Sequence, residues 1–166
     1  MERCQEEASA SLQFDHYWRE LTQLANDAFA SQAYIKAAQL YNETLVEADR
    51  IYAHARSTGE EFRHAPPMVV VTVCNVARNC DAMGSHGAGD EVVDSALMLF
   101  TEVLKDEAAD LDLRRSTALH LSRLSAEVLE RKQANGKHKT STLELIRSAR
   151  EAAERLLAPS GRMYLQ

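Results

Sequence analysis

The sequence is poor in residues that interrupt regular structure. Six glycines and three prolines are spread over 166 residues, and two of the prolines are the adjacent pair Pro66 and Pro67. Strand-rich folds turn often and need such punctuation, so its scarcity favours long helices. Cysteine is equally sparse: Cys4, Cys74 and Cys80 are odd in number and make no CxxC pair. That excludes a disulfide framework or a cysteine zinc knuckle, fits a reducing compartment, and leads to an expected cytoplasmic location. Nowhere do about 18 apolar residues run together, so no membrane span is expected. The opening MERCQEEASASLQ lacks the apolar stretch of a secretion signal. Cations are the minority charge, with 19 Lys and Arg against 25 Asp and Glu and a net charge of −6. Nucleic acid and anionic membrane, which are bound through clustered cations, are not expected partners.

Catalytic signatures are missing too. The histidines at 16, 54, 64, 86, 120 and 138 include no HExxH and no i, i+4 pair, so a helical metal site is not predicted. Residues 84–89, GSHGAG, are glycine-rich but lack a P-loop lysine and a preceding strand, which leaves a turn. The basic run RKQANGKHK at 131–139 is expected to end a helix and stay solvated. No enzyme activity, cofactor or metal is expected.

What the chain does have is helical periodicity, in a length and 45% apolar content suited to one domain. Tyr17, Leu21, Leu24 and Ala28 make the stripe of a first helix from Phe14 to Ser31, with Asp15 as its cap. Residues 1–13 are expected to be flexible. Ala37, Tyr41, Leu45, Ala48, Tyr52 and Ala55 mark a second helix from about 33 to 56. The stretch VVVTV at 69–73 looks like a strand, because β-branched side chains suit a pleated surface. Yet it does not alternate, and no second β-rich segment exists to pair with it. Val69, Val73, Val76, Cys80 and Met83 are spaced 4, 3, 4 and 3, one face of a helix over 67–83 that starts at the prolines and ends at Gly84. Asp90 is expected to cap a fourth helix with Val93, Leu97, Phe100 and Leu104 inward, and a fifth, over about 108–133, turns Leu113, Leu121, Leu124 and Val128 inward. Ser141-x-x-Glu144 has the form of a capping box for a sixth helix carrying Leu145, Ala149, Ala153 and Leu156, closed by Pro159 and Gly161. The helical domain therefore spans 14–158, with a tail at 159–166.

The segment WRELTQLANDAFASQAYIKAAQLYNETL, residues 18–45, resembles a tetratricopeptide repeat at Leu21, Leu24, Ala25, Tyr34, Ala37, Tyr41 and Leu45. Gln32 stands where that family usually has glycine, and Thr44 where it has alanine. Val73, Val76, Ala77, Cys80, Gly84, Ala96, Phe100 and Leu104 are similar in a second hairpin, and Leu121, Leu124, Ser125, Ala149 and Ala153 in a third. Leu21 and Val73 are 52 residues apart, against a usual period of about 34. The chain thus resembles bacterial tetratricopeptide-like proteins. The resemblance implies an all-α fold of three antiparallel hairpins stacked as a right-handed solenoid, and a non-catalytic role in binding a protein or peptide in a concave groove.

In that register Arg19, Thr22, Asn26 and Phe29 face the groove from the first helix, Val71, Cys74, Asn75, Arg78 and Asp81 from the third, and Arg123 from the fifth. Asn26, Asn75 and Arg123 fall where carboxylate-clamp members of the family hold a ligand's terminal carboxylate and backbone; Thr22 and Leu119 stand where those members carry lysine. Two other readings are a small-molecule sensor or enzyme with a pocket between hairpins, lidded by the turn at 84–89, and a homodimer formed through Ile51 and Tyr52.

Overall fold

The computed structural model describes the backbone of residues 2–60, 63–134 and 140–158, and the side chains within 16–60, 63–134 and 142–158. The fold is all-α, with six helices and no strand among these residues: α1 (Glu2–Ala30), α2 (Tyr34–Thr58), α3 (Ala65–Ala82), α4 (His86–Lys105), α5 (Leu111–Ala134) and α6 (Thr140–Leu157). None is long and apolar enough to cross a membrane. The capping serine Ser141, the residues Pro159 and Gly161, and the tail 159–166 lie outside the described side chains or backbone.

Each helix packs against the next in sequence, and α3 also packs along α5 and α4 along α6. Helix α3 is the centre of this arrangement. Val69, Val70, Val73 and Val76 are buried, as are Met68, Thr72, Cys74 and Ala77 between and beside them. Apolar residues clothe α3 on several faces because α2, α4 and α5 all cover it. The expected face was therefore only part of what is buried. Met83 is a correction: α3 stops at Ala82, and Met83 lies in the following turn, 45% exposed.

Burial explains why β-branched residues tolerate the helix. A valine costs a helix up to about 0.7 kcal/mol relative to alanine, whereas fully burying its side chain is worth about 1.5–3 kcal/mol. Around α3, Tyr52 of α2 stacks on Phe100 of α4 with ring centroids 5.8 Å apart and planes 11° from parallel. The Tyr52 hydroxyl meets Thr117 Oγ1 of α5 at 3.0 Å, and burial pushes the phenol pKa up to about 12. Tyr52 and Ile51 are thus core residues, 2% and 3% exposed, and do not form the outward dimer face expected of them. Trp18 Nε1 donates to Thr72 Oγ1 at 2.9 Å, fastening α1 to α3. Ala25 and Ala37 are fully buried where α1 meets α2, as small residues at a close helix approach should be.

Several boundaries and faces differ from expectation. Helix α1 continues back to Glu2, so the backbone of residues 2–13 is helical; Glu2, Glu6 and Glu7 suit a helix N-terminus, and no glycine or proline intervenes. Asp15 accordingly lies inside α1 and not at its N-terminus. The buried stripe of α1 is Leu21, Ala25 and Ala28 with Trp18 half-buried, while Tyr17 and Leu24 are about half exposed at its edge. Asp110 caps α5, accepting from the amides of Asp112 and Leu113 at 2.9 and 3.0 Å.

Helix α1 ends with Ala33 N–H bonded to Ala28 O and Gln32 N–H to Phe29 O, both at 2.9 Å. This is the Schellman arrangement, and it places Gln32 in the left-handed region at φ 59°. Glycine adopts that conformation without the Cβ penalty. We expect Gln32→Gly to raise unfolding stability by about 0.5–1 kcal/mol, measured by urea denaturation; a loss of stability would contradict the reading of this turn.

Candidate functional site

The turn between α3 and α4 gathers a cluster of charged side chains. Gly84, at φ 74°, reverses the chain while Ser85 N–H bonds Cys80 O at 2.8 Å and Gly84 N–H bonds Asp81 O at 3.0 Å. This brings the end of α3, the start of α4 and the end of α5 together. Arg131 of α5 grips Asp81 of α3 through both guanidinium Nη atoms, at 2.6 and 2.8 Å, while its Nε donates to Asp90 Oδ1 of α4 at 3.1 Å. Lys132 reaches Asp94 at 2.7 Å and Asp90 at 3.9 Å, and His86 Nδ1 lies 2.9 Å from Asp81. The Arg131, Lys132 and Asp90 side chains are each under 10% exposed.

Gly89 makes room for this cluster. A Cβ there would fall on Arg131 Nη2 and lie 3.1 Å from Ala77 O, so α4 comes close to α3 and α5 only because the position is glycine. Three expectations are corrected here. Asp90 does not cap α4, which starts at His86; it is a buried partner of two cations. Arg131 and Lys132 stand in the last turn of α5 as expected, but they are buried and not solvated. The stretch 84–89 is not a lid, because from His86 onward it is the first turn of α4.

A cleft of about 600 Å³ opens beside the cluster, lined by Arg78, Asp81, His86, Glu127, Glu130 and Arg131. Of the groove residues expected from sequence, the structure gathers Cys74, Arg78, Asp81 and Arg123 on this α3–α5 side. Cys74 is a correction, since it is buried and not a groove surface. Burial first, and the Glu127 carboxylate second, push its thiol pKa up to about 11, while Arg123, Arg78 and Arg131 pull it down. A thiol so protonated is a packing group, not a nucleophile.

Asn26 joins this side through α2. The Tyr41 hydroxyl donates to Asn26 Oδ1 at 2.7 Å, and burial raises the Tyr41 pKa against the opposing influence of Arg78. The Asn26 carbonyl is thereby occupied. Phe29 is half-buried, meeting Tyr34 edge-on at 5.5 Å, and so belongs to the α1–α2 packing. Thr22 is half-buried, with no hydrogen-bond partner for its Oγ1 among the described residues. Arg19 is exposed on α1, and Val71 and Asn75 are half-buried on α3. Arg78 and Arg123 are exposed, and neither has an ion-pair partner among the described residues.

A second concavity, about 500 Å³, lies between α2 and α4. It is floored by Val69 and Val73 and walled by Leu45 and Leu99, with Asp49 and Glu91 at its rim. Among the described residues no group of three His, Cys, Asp or Glu is placed to hold a metal.

Sequence reading missed Gly89, Asp90, Arg131 and Lys132 as one unit. A signal existed. Asp90 stands three and seven residues before Val93 and Leu97, and Arg131 three and seven after Val128 and Leu124, so each charge is in phase with a buried stripe. What local periodicity lacks is the pairing of the two across 41 residues.

Residues 16–160 match the model of a family described as "Protein of unknown function (DUF2753)". No curated protein and no solved structure matches the chain.

Removing one partner of a buried ion pair strands the other's charge. We expect Asp90→Asn to lower unfolding stability by about 3 kcal/mol, with urea denaturation as the measurement. Asp81 supplies a pH signature. Its hydrogen bond from Arg131 holds its carboxyl below the ordinary aspartate range, so its contribution to stability is present above the unfolded pKa and is lost as pH falls through the folded one. The wild-type chain should lose stability more steeply than Asp81→Asn as pH falls below about 4; parallel acid-unfolding curves would contradict this.

Proposed function

We propose, for a chain that belongs to the DUF2753 family, a non-catalytic role in holding a peptide or protein segment on the side of the molecule where α3 meets α5. In this reading the helices pair as three hairpins, α1–α2, α3–α4 and α5–α6, stacked as a tetratricopeptide-like right-handed solenoid. The packing of each helix on its successor, of α3 on α5 and of α4 on α6 supports that stacking. The residues expected to line a concave face are the α1, α3 and α5 residues Asn26, Asn75, Arg78 and Arg123.

The observation that carries the proposal is the pair Arg78 and Arg123. Both are exposed, they come from different helices, and both are near enough to the Cys74 thiol to pull its pKa down. Elsewhere on this side the cations are spoken for, Arg131 by Asp81 and Asp90 and Lys132 by Asp94. Arginine presents a planar fork of donors that matches a carboxylate bidentately, and two such forks suit a peptide's terminal carboxylate or an acidic side chain. Asn75 beside them can both donate to and accept from a peptide backbone.

The test uses a library of peptides with free carboxyl termini against the same peptides as carboxamides. Hydrogen bonds to a charged group are worth about 1.5–3 kcal/mol. Arg78→Ala with Arg123→Ala should therefore weaken binding of the free-carboxyl peptides at least about tenfold while leaving the thermal midpoint unchanged. Equal binding of the carboxamides, or full retention by the double variant, would overturn the reading.

A further inference from the structure

We propose that the trough between α2 and α4 docks a basic amphipathic helix of a partner protein. This surface is separate from the Arg78–Arg123 face: Val69 and Val73 floor the trough, while Cys74 and Arg78 turn to the other side of α3.

The gap exists because the helix stack is uneven. Helix α4 packs along α6 and α3 along α5, whereas the backbones of α2 and α4 stay apart and meet through long side chains, Tyr52 on Phe100. Between the two helices a valley lies over α3, with the half-buried Leu45 and Leu99 as its walls and the buried Val69 and Val73 beneath it. Apolar surface continues beyond the valley, since Val46 on α2 is 69% exposed and Met98 on α4 is 51% exposed. Val46 precedes Asp49 by three residues and Met98 follows Ser95 by three, so each extends the face of its helix that borders the trough. A single small molecule would not span that surface. A helix with apolar residues at i, i+3 or i+4, and i+7 would.

Charge selects the kind of helix. Asp49 and Glu91 stand on opposite walls, and neither side chain has a hydrogen-bond or ion-pair partner among the described residues. The Asp49 residue is open to solvent, yet burial against the trough raises its carboxyl pKa. A desolvated carboxylate without a cation is unfavourable until something supplies one. Lysine or arginine flanking the apolar stripe of an incoming helix would do so from both sides.

The probe is a fluorescently labelled amphipathic peptide of leucine and lysine at helical spacing, followed by anisotropy with the full chain. Binding is expected, with loss of binding when glutamate replaces the lysines. Asp49→Asn with Glu91→Gln should weaken it at least about threefold, two rim pairs being involved. Glu43→Gln with Glu102→Gln removes the same charge from exposed positions of α2 and α4 outside the trough and should leave binding unchanged. Ser95→Trp, which fills the trough from an exposed position, should abolish it. The thermal midpoint of the Asp49→Asn, Glu91→Gln variant should stay at that of the wild type, both residues being exposed, so its lost binding cannot come from unfolding. Equal binding of the glutamate peptide, or an equal loss in the Glu43/Glu102 control, would overturn the proposal. So would a chain dimer that Ser95→Trp dissociates, which would assign the trough to a second copy.

Discussion

The structure depends on the burial of one helix made from residues that are poor helix formers. Alone, the valine-rich segment of α3 would gain little from winding up, since each β-branched side chain loses rotamer freedom against the preceding turn. Enclosed by α2, α4 and α5, the same side chains leave water almost completely, and the gain per valine exceeds the propensity loss several-fold. Tertiary contact therefore makes the helix, and the helix in turn fixes where the two faces of the molecule lie. One side of α3 carries Arg78 and Asp81 toward α5; the other presents Val69 and Val73 to the space between α2 and α4.

The charged cluster at the far end of α3 complements that apolar enclosure. Arg131 contacts helices from two other parts of the chain, and its fork geometry allows it to satisfy Asp81 and Asp90 together. Such a cluster adds less to stability than an apolar substitute of the same shape often would, but it penalises any register in which the partners do not meet. It also keeps Arg131 and Lys132 from serving as ligand cations. The consequence for function is selective: of the cations near the α3–α5 side, Arg78 and Arg123 stay exposed.

The sequence revealed what repeats locally. Helix identity, the buried residues of α4 and α5 and the small residues at the α1–α2 approach all follow from spacing, because each is decided by which side of a helix a residue occupies. Valines 69, 73 and 76 could be read as a rod because they failed to alternate. Contacts between distant segments were not legible. Nothing in Gly89 or Asp90 taken locally announces Arg131, so a glycine looked like a turn and an aspartate like a cap. A single buried stripe would leave Cys74 on a surface, whereas α3 is covered on several faces. Tyr17 and Leu24 differ in the opposite direction: they belong to a stripe, but among the described residues no helix covers its edge. The uneven gap between α2 and α4 depends on how the helices cross, which periodicity does not encode.

If the α3 enclosure governs the fold, its backbone should be the last to open. Native-state hydrogen exchange resolved by residue tests this directly, because the amides of Val69 to Ala77 should exchange only through global unfolding, with a denaturant dependence equal to that of the whole chain. Exchange of those amides by local opening, at or before the rates seen in α1 or α6, would contradict the account.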